Sequence, residues 1–332
     1  MTTKADLTSS EIANLWIAYI DMNAMVIKLK YVLKIMEDTE IRPIIEKTNQ
    51  VSESSLNQLK QIFNKENFAM PLGFTEADVN LAAPRLFSDT FFLVFLQNKM
   101  DMNLNAYSMA LSHATRPDIR HFFQECLTTS IQIFNEATDM MLAKGIYVRP
   151  PFIPTPKSVD MTERQSFLSG WLGNKRPLTA IEIDQLFFSI SRNALGHALL
   201  LGYSQVAKSK EVREHMRRGA DIAKKHVEIF SKILLEEDIP APMIWSRKIE
   251  DTTISPFSDK LLMFEVAGTT EAGIGYYGRS LSAAQRRDLG AHYLKAITDS
   301  LLFGEDAANI TIKNAWLEEP PQAIDFSKKV KG

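Results

Sequence analysis

The chain has 332 residues, 45% of them apolar and 23% charged, a balance that suits a folded protein and excludes wholesale disorder or a fibrous repeat. Such a length fits two domains, each large enough to bury a core of its own. With 38 Lys and Arg against 40 Asp and Glu the formal charge is -2, so there is no overall basic field for a phosphate backbone, and nucleic acid is not an expected partner.

Residues 1–11, MTTKADLTSSE, lack the apolar centre of a secretion signal. The densest apolar run, Phe91 to Leu96, is too short to cross a bilayer. The expectation is therefore a cytoplasmic protein without a membrane span.

The first elements reveal an internal repeat. Leu7-Thr8-Ser9-Ser10-Glu11-Ile12 is echoed by Leu178-Thr179-Ala180-Ile181-Glu182-Ile183, an offset of 171 positions from 7 to 178. Thr8 with Glu11, and Thr179 with Glu182, have capping-box spacing, so both copies start a helix at equivalent points. Apolar residues then follow helical spacing through Ile12, Trp16, Tyr19, Val26 and Leu33, and through Ile183, Phe187, Ile190, Ala194 and Leu201.

Second helices are expected over about 40–66 and 210–237, returning antiparallel after short turns. Proline-bearing connections over 67–83 and 238–255 are long enough to run the length of a bundle. Third helices are expected from Ala83-Pro84 and Ser255-Pro256, with proline in the first turn.

Tight turns near Thr115 and Ser282 lead to fourth helices, with Thr115/Asp118 and Ser282/Gln285 as caps and Lys144-Gly145 as a stop. The single cysteine, Cys126, shares a stripe with Ile119, Phe122, Phe123, Ile133 and Phe134 and reads as a buried thiol. In this region Tyr107, Arg116 and Asp118 match Tyr277, Arg286 and Asp288 at an offset of 170, from 107 to 277, so one deletion separates the registers.

Arg149 to Lys157, RPPFIPTPK, reads as the start of an interdomain connection. The expected fold class is all-α: a tandem duplication of a four-helix bundle with a long crossover between helices two and three, the ferritin-like order. The expected domains are 1–157 and, with the linker, 158–332.

Candidate site residues come from comparing the copies. Glu-x-x-His, the spacing that points two dimetal ligands inward from one helix, occurs nowhere in the chain. In the second copy His197 replaces Val26 and Glu265 replaces Phe95 on the apolar stripe, and His226 and Glu271 fall about one turn further down. A metal set of His197, His226, Glu265 and Glu271 would suit Fe, Mn or Zn. The alternative is a hydrogen-bonded core histidine with the glutamates facing solvent.

Four glycines in Ala267 to Gly278, AGTTEAGIGYYG, each disfavour a helix by about 1 kcal/mol relative to alanine. Gly268, Ala272 and Gly275 share a face, which suggests tight packing of another helix or the approach of a ligand.

The two Leu-Thr-x-x-Glu-Ile starts, the Arg149-Pro150-Pro151 segment, and the loop Pro71-Leu72-Gly73-Phe74 with its counterpart Pro242-Met243-Ile244-Trp245 carry a resemblance over both halves. The chain resembles the uncharacterised duplicated ferritin-like proteins of endospore-forming bacteria, distant kin of spore coat protein F. That resemblance implies a spore-associated role, with further copies of the chain or coat proteins as partners, and carries over no catalytic residues.

Three functions remain open on the sequence. The leading one is a noncatalytic structural or binding protein. The others are a metal-dependent oxidoreductase using Fe or Mn in the second bundle, and a small-molecule sensor whose pocket is opened by the glycine-rich helix.

Overall fold

The computed structural model describes residues 5–162, 164–170, 175–242 and 249–323. Met243, Ile244 and Trp245 of the second loop motif lie outside the described residues. Within them the chain forms α1 Ser9–Ile35, α2 Arg42–Lys65, α3 Asp89–His113 and α4 Pro117–Ala143, then α5 Ala180–Val206, α6 Lys210–Leu235, α7 Asp259–Ala283 and α8 Arg287–Lys313. Short 3-10 turns occupy Glu76–Asp78 and Gln165–Leu168, and no strand is present among the described residues.

Each set of four helices packs in the same order, with the first against the second and third, and the fourth against the second and third. The result is two tandem four-helix bundles with a long crossover, the architecture expected from the repeat. Both expected capping boxes form, Thr8 with Glu11 and Thr179 with Glu182. Gly145 follows α4 with φ of 65°, a conformation that a side chain would strain.

The two carboxylates do more than cap. Glu11 also accepts from the backbone N–H of Thr115 (2.9 Å) and Arg116 (2.8 Å), so the start of α1 is tied to the α3–α4 turn. Glu182 accepts from the Arg286 N–H (3.0 Å) and from the Arg176 guanidinium (2.7 and 2.8 Å).

Thr115 and Asp118 therefore do not cap α4. No side chain caps α4 or α8, whose first residues follow Arg116 and Arg286. The guanidinium of Arg116 instead binds Asp118 and reaches Glu66 (2.8 Å), and that of Arg286 binds Asp288 and Glu237.

The opposite ends are pinned in a matching way. Asp89, in the first turn of α3, accepts from the N–H groups of Glu37 and Asp38, and Asp259 accepts from those of Lys208 and Ser209. Ser88 and Ser258 cap α3 and α7. Pro84 and Pro256 thus precede these helices instead of opening them, because the carboxylate and hydroxyl that satisfy the helix ends come a few residues later.

The crossovers meet each other. Asn80 N–H donates to the Pro256 carbonyl (2.8 Å), Ser258 N–H to the Asp78 carbonyl (2.9 Å) and Glu250 N–H to the Leu86 carbonyl (2.9 Å). Isolated antiparallel bridges join Val79 to Phe257 and Phe87 to Ile249.

The largest apolar cluster accordingly spans both copies, from Tyr31, Phe87 and Phe91 to Leu199, Tyr203 and Leu262. This modifies the expectation of separate cores, since only the far ends of the bundles keep their own clusters. Gly202, which stands where the first copy has Tyr31, makes room: a Cβ there would lie 2.5 Å from the Phe87 ring.

By length and composition alone, α1 is apolar enough to cross a membrane, which the count of the densest run overlooked. In the fold Leu15, Tyr19, Met22 and Leu29 of that helix are buried in the bundle cores.

Burial pushes the carboxyls of Glu11 and Glu182 up, but their hydrogen bonds, and for Glu182 also the Arg176 guanidinium, outweigh it and hold both at about 2 instead of 4.5. A depressed carboxyl stabilises the fold above its unfolded value, and the contribution is lost as pH falls from about 4.5 through about 2. Acid unfolding followed by circular dichroism should show this loss. Glu11→Gln and Glu182→Gln should each lower stability near neutrality and flatten the dependence in that window.

Candidate functional site: a mid-bundle cavity in the second copy

The four sequence-derived metal candidates are not gathered. His197 is buried and its Nδ1–H donates to the Ala220 carbonyl (2.8 Å), as a core histidine would. Glu265 binds Lys28 of the first copy and accepts from the Tyr203 hydroxyl. Glu271 is exposed, and of the four His226 lines the mid-bundle cavity of the second copy while Glu265 lines a small space shared with the first. No group of three or more His, Cys, Asp or Glu placed to hold a metal occurs among the described residues. The substitutions of polar for apolar residues that suggested ligands are answered for Glu265 by a salt bridge across the copies and for His197 by a backbone carbonyl.

A different contrast between the copies marks the second bundle. Midway along the first, a space of about 30 Å³ is bounded by Met25, Thr48, Met100, Asn103 and Tyr107. The same place in the second measures about 130 Å³, and the corresponding residues there are Gly196, Gly219, Thr270, Gly273 and Tyr277. Four side chains have been shortened while the frame around them is unchanged.

The glycines of α7 are explained in part. A Cβ on Gly196, Gly268, Gly273, Gly275 or Gly278 would meet no atom within 4 Å, so no helix packs tightly against them. The cavity is reached by Gly273 and Ala272, whereas Gly268 and Gly275 do not line it. Gly219 differs, because the Phe303 ring would lie 2.6 Å from its Cβ.

The polar wall is a hydrogen-bonded row. Asn193 Nδ2 donates to the Tyr277 hydroxyl (2.6 Å) and to the Ser189 carbonyl (2.7 Å), and the same hydroxyl lies 3.0 Å from His226 Nδ1. Burial pushes the Tyr277 phenol up, so it keeps its proton. Burial lowers His226 below its ordinary value against the opposing pull of Asp299.

α3 of the first copy covers one side of the cavity with Phe95, Asn98 and Met102. Beyond lies a cleft of about 300 Å³ between the copies, and Asn98, Arg192, Leu195 and Tyr276 border both spaces. At this boundary Asp101 accepts from Arg192 (3.0 Å) and from the Tyr276 hydroxyl (2.9 Å), and the guanidinium lies 3.7 Å from the centre of the Tyr276 ring. In the first copy the position of Arg192 is held by Asp21, which binds Lys99 within its own bundle (2.6 Å). The second copy has exchanged an internal ion pair for one that reaches across.

Asn193, Tyr277, Arg192 and Asp101 were not singled out from the sequence. The signal available was the aligned loss of bulk at Gly196, Gly219, Thr270 and Gly273, which a search for metal ligands does not register.

Comparison with known families returns a match to a model described as a protein of unknown function, DUF3231, over residues 1–159 and again over 166–329. The chain belongs to that family. As a DUF3231 protein it carries the family unit twice. No curated protein matches. Among solved structures, one from Bacillus halodurans, described as a candidate spore coat protein, is similar at 15% identity with a TM-score of 0.41, covering 46% of this chain and 98% of that one.

Because the Gly273 Cβ position is empty, Gly273→Ala should remove the backbone-entropy cost of glycine without a clash and stabilise the protein by about 0.5–1 kcal/mol. Denaturant unfolding of the variant beside the wild type checks it.

Proposed function

We propose that this DUF3231 protein is a noncatalytic binding protein whose second bundle receives a small molecule, with the first bundle acting as a structural brace. The observation that carries the reading is the unequal middle of two otherwise matching bundles, about 30 Å³ in one and about 130 Å³ in the other. Core voids are destabilising, and a void kept open by glycine adds the helix cost of that residue to the cost of the space. Occupancy by a ligand offsets both through mass action.

The location supports the same reading. Ligand sites in helical proteins are commonly built between the helices of a bundle and at domain interfaces. This cavity adjoins both, since α3 of the first copy forms part of its wall. Its exposed lining is mostly apolar and carries polar groups from Asn193, His226, Tyr277 and Arg192, a composition suited to holding and orienting a small molecule. The spore association and coat-protein partners implied by the sequence resemblance concern where such a protein would work, and the structural role assigned to the first bundle is compatible with them.

Returning the first copy's side chains tests the proposal. The double variant Gly196→Met/Gly273→Asn should fold, lose uptake of ring-sized apolar probes such as benzene by at least tenfold, and gain thermal stability relative to the empty wild type. Uptake is read by ligand-observed NMR and stability by calorimetry. Equal uptake by variant and wild type, or uptake by neither, would remove the basis for the reading.

A further inference from the structure

We infer that the outer face of α8 is a docking surface for a second copy of this chain, the two α8 helices lying antiparallel about a two-fold axis at Thr298. This pairing does not depend on what the mid-bundle cavity holds.

One side of α8 faces its own bundle through the buried Tyr293, Ala296, Phe303 and Ala307. The opposite side is open. Leu294, Leu301 and Leu302 are 57%, 55% and 58% exposed there. Arg287, Ala291, Leu294, Thr298, Leu301 and Glu305 are all exposed and follow one another at intervals of four and three residues. That spacing keeps side chains on a single stripe and is the spacing by which one helix covers another.

The first copy shows that the frame does not require this stripe. At the offset of 170, Pro117, Gln124, Glu125, Gln132 and Asn135 stand where the second copy has Arg287, Leu294, Lys295, Leu302 and Glu305. Two exposed glutamines have become leucines, while cations have appeared at one end of the stripe and an anion at the other. Exposed leucines gain nothing from solvent, so their grouping on one face marks a surface that is covered in use.

The charges identify the cover as the same face of another copy. With the axis at Thr298, Leu294 of each chain meets Leu302 of the other, four residues to either side of the axis. Glu305 then faces Ala291 across the pair, a small residue flanked one turn away, about 6 Å, by Arg287 and Lys295. The same contact occurs twice by symmetry. A parallel pair would instead set Glu305 against Glu305, which repels. Arg287 and Glu305 make no ion pair among the described residues, and Lys295 holds only Asp299 of its own helix (3.3 Å).

The seam from Arg287 to its counterpart at Asn309 is about 33 Å long at 1.5 Å per residue. One helix face of that length falls at the small end of specific interfaces, near about 1,200 Å² in total, so the pair should be reversible.

Sedimentation velocity of the full-length protein from about 1 to about 200 µM should show a monomer–dimer equilibrium. Leu294→Gln/Leu302→Gln, which restores the first copy's residues, should weaken the dimer at least tenfold with an unchanged circular dichroism spectrum. Glu305→Lys alone, and Arg287→Glu/Lys295→Glu alone, should each be monomeric at concentrations where the wild type is dimeric. Mixing those two variants should recover a dimer containing one chain of each, because only that combination places opposite charges at both ends.

A wild type that stays monomeric throughout the range overturns the pairing. So does a dimer that the leucine substitutions leave intact. If the wild type dimerises but the mixed charge variants do not, the antiparallel arrangement at Thr298 is wrong, and this result decides the matter even where the leucine variant fails to fold.

Discussion

A buried guanidinium at the turn between the third and fourth helices organises each bundle. Arg116 and Arg286 are 4% and 1% exposed and must keep their charge, so they draw carboxylates from separate elements to one place. Glu66 brings the end of α2, Asp118 the start of α4, and Glu11 the start of α1 through the backbone of the same turn. Glu237, Asp288 and Glu182 repeat the arrangement. Removing one partner from such a pair leaves a buried charge uncompensated and costs about 3–5 kcal/mol, whereas the intact pair contributes much less. The network thus specifies which ends meet more than it adds stability.

Pinning the ends has a consequence for the middle. Asp89 and Asp259 hold the opposite ends, so the helices of each bundle are fixed at both extremes. When Met25, Thr48, Met100 and Asn103 are replaced by Gly196, Gly219, Thr270 and Gly273, the second bundle keeps its frame and the lost volume remains as space. Duplication provided a frame in which one copy could lose packing at its centre while the other kept it. The ion pairs Asp101–Arg192 and Lys28–Glu265, the paired crossovers and the shared apolar cluster join that altered copy to an intact neighbour.

Much of the frame was legible in the sequence because it is local. Capping boxes and the stop at Gly145 depend on residues a few positions apart, and both hold in the structure. The starts of α3 and α7 were misplaced because proline is a weaker marker than the Ser88 and Ser258 hydroxyls, whose caps depend on where the chain turns. The shared core was hidden for another reason: an apolar stripe shows that a face is covered but does not identify the cover.

The site was legible only in part. A charged or imidazole group on an apolar stripe does signal a partner, and Glu265 and His197 both have one, but the sequence does not distinguish a metal from Lys28 or from the Ala220 carbonyl. A cavity leaves no positive mark, only small residues whose common location emerges when helices are assembled. Diffraction from crystals pressurised with xenon measures that location directly, since xenon enters apolar cavities of this size. The account predicts one xenon per chain at the middle of the second bundle, beside Gly196 and Gly273, and none at the corresponding place in the first. Equal occupancy of both bundles, or of neither, would contradict it.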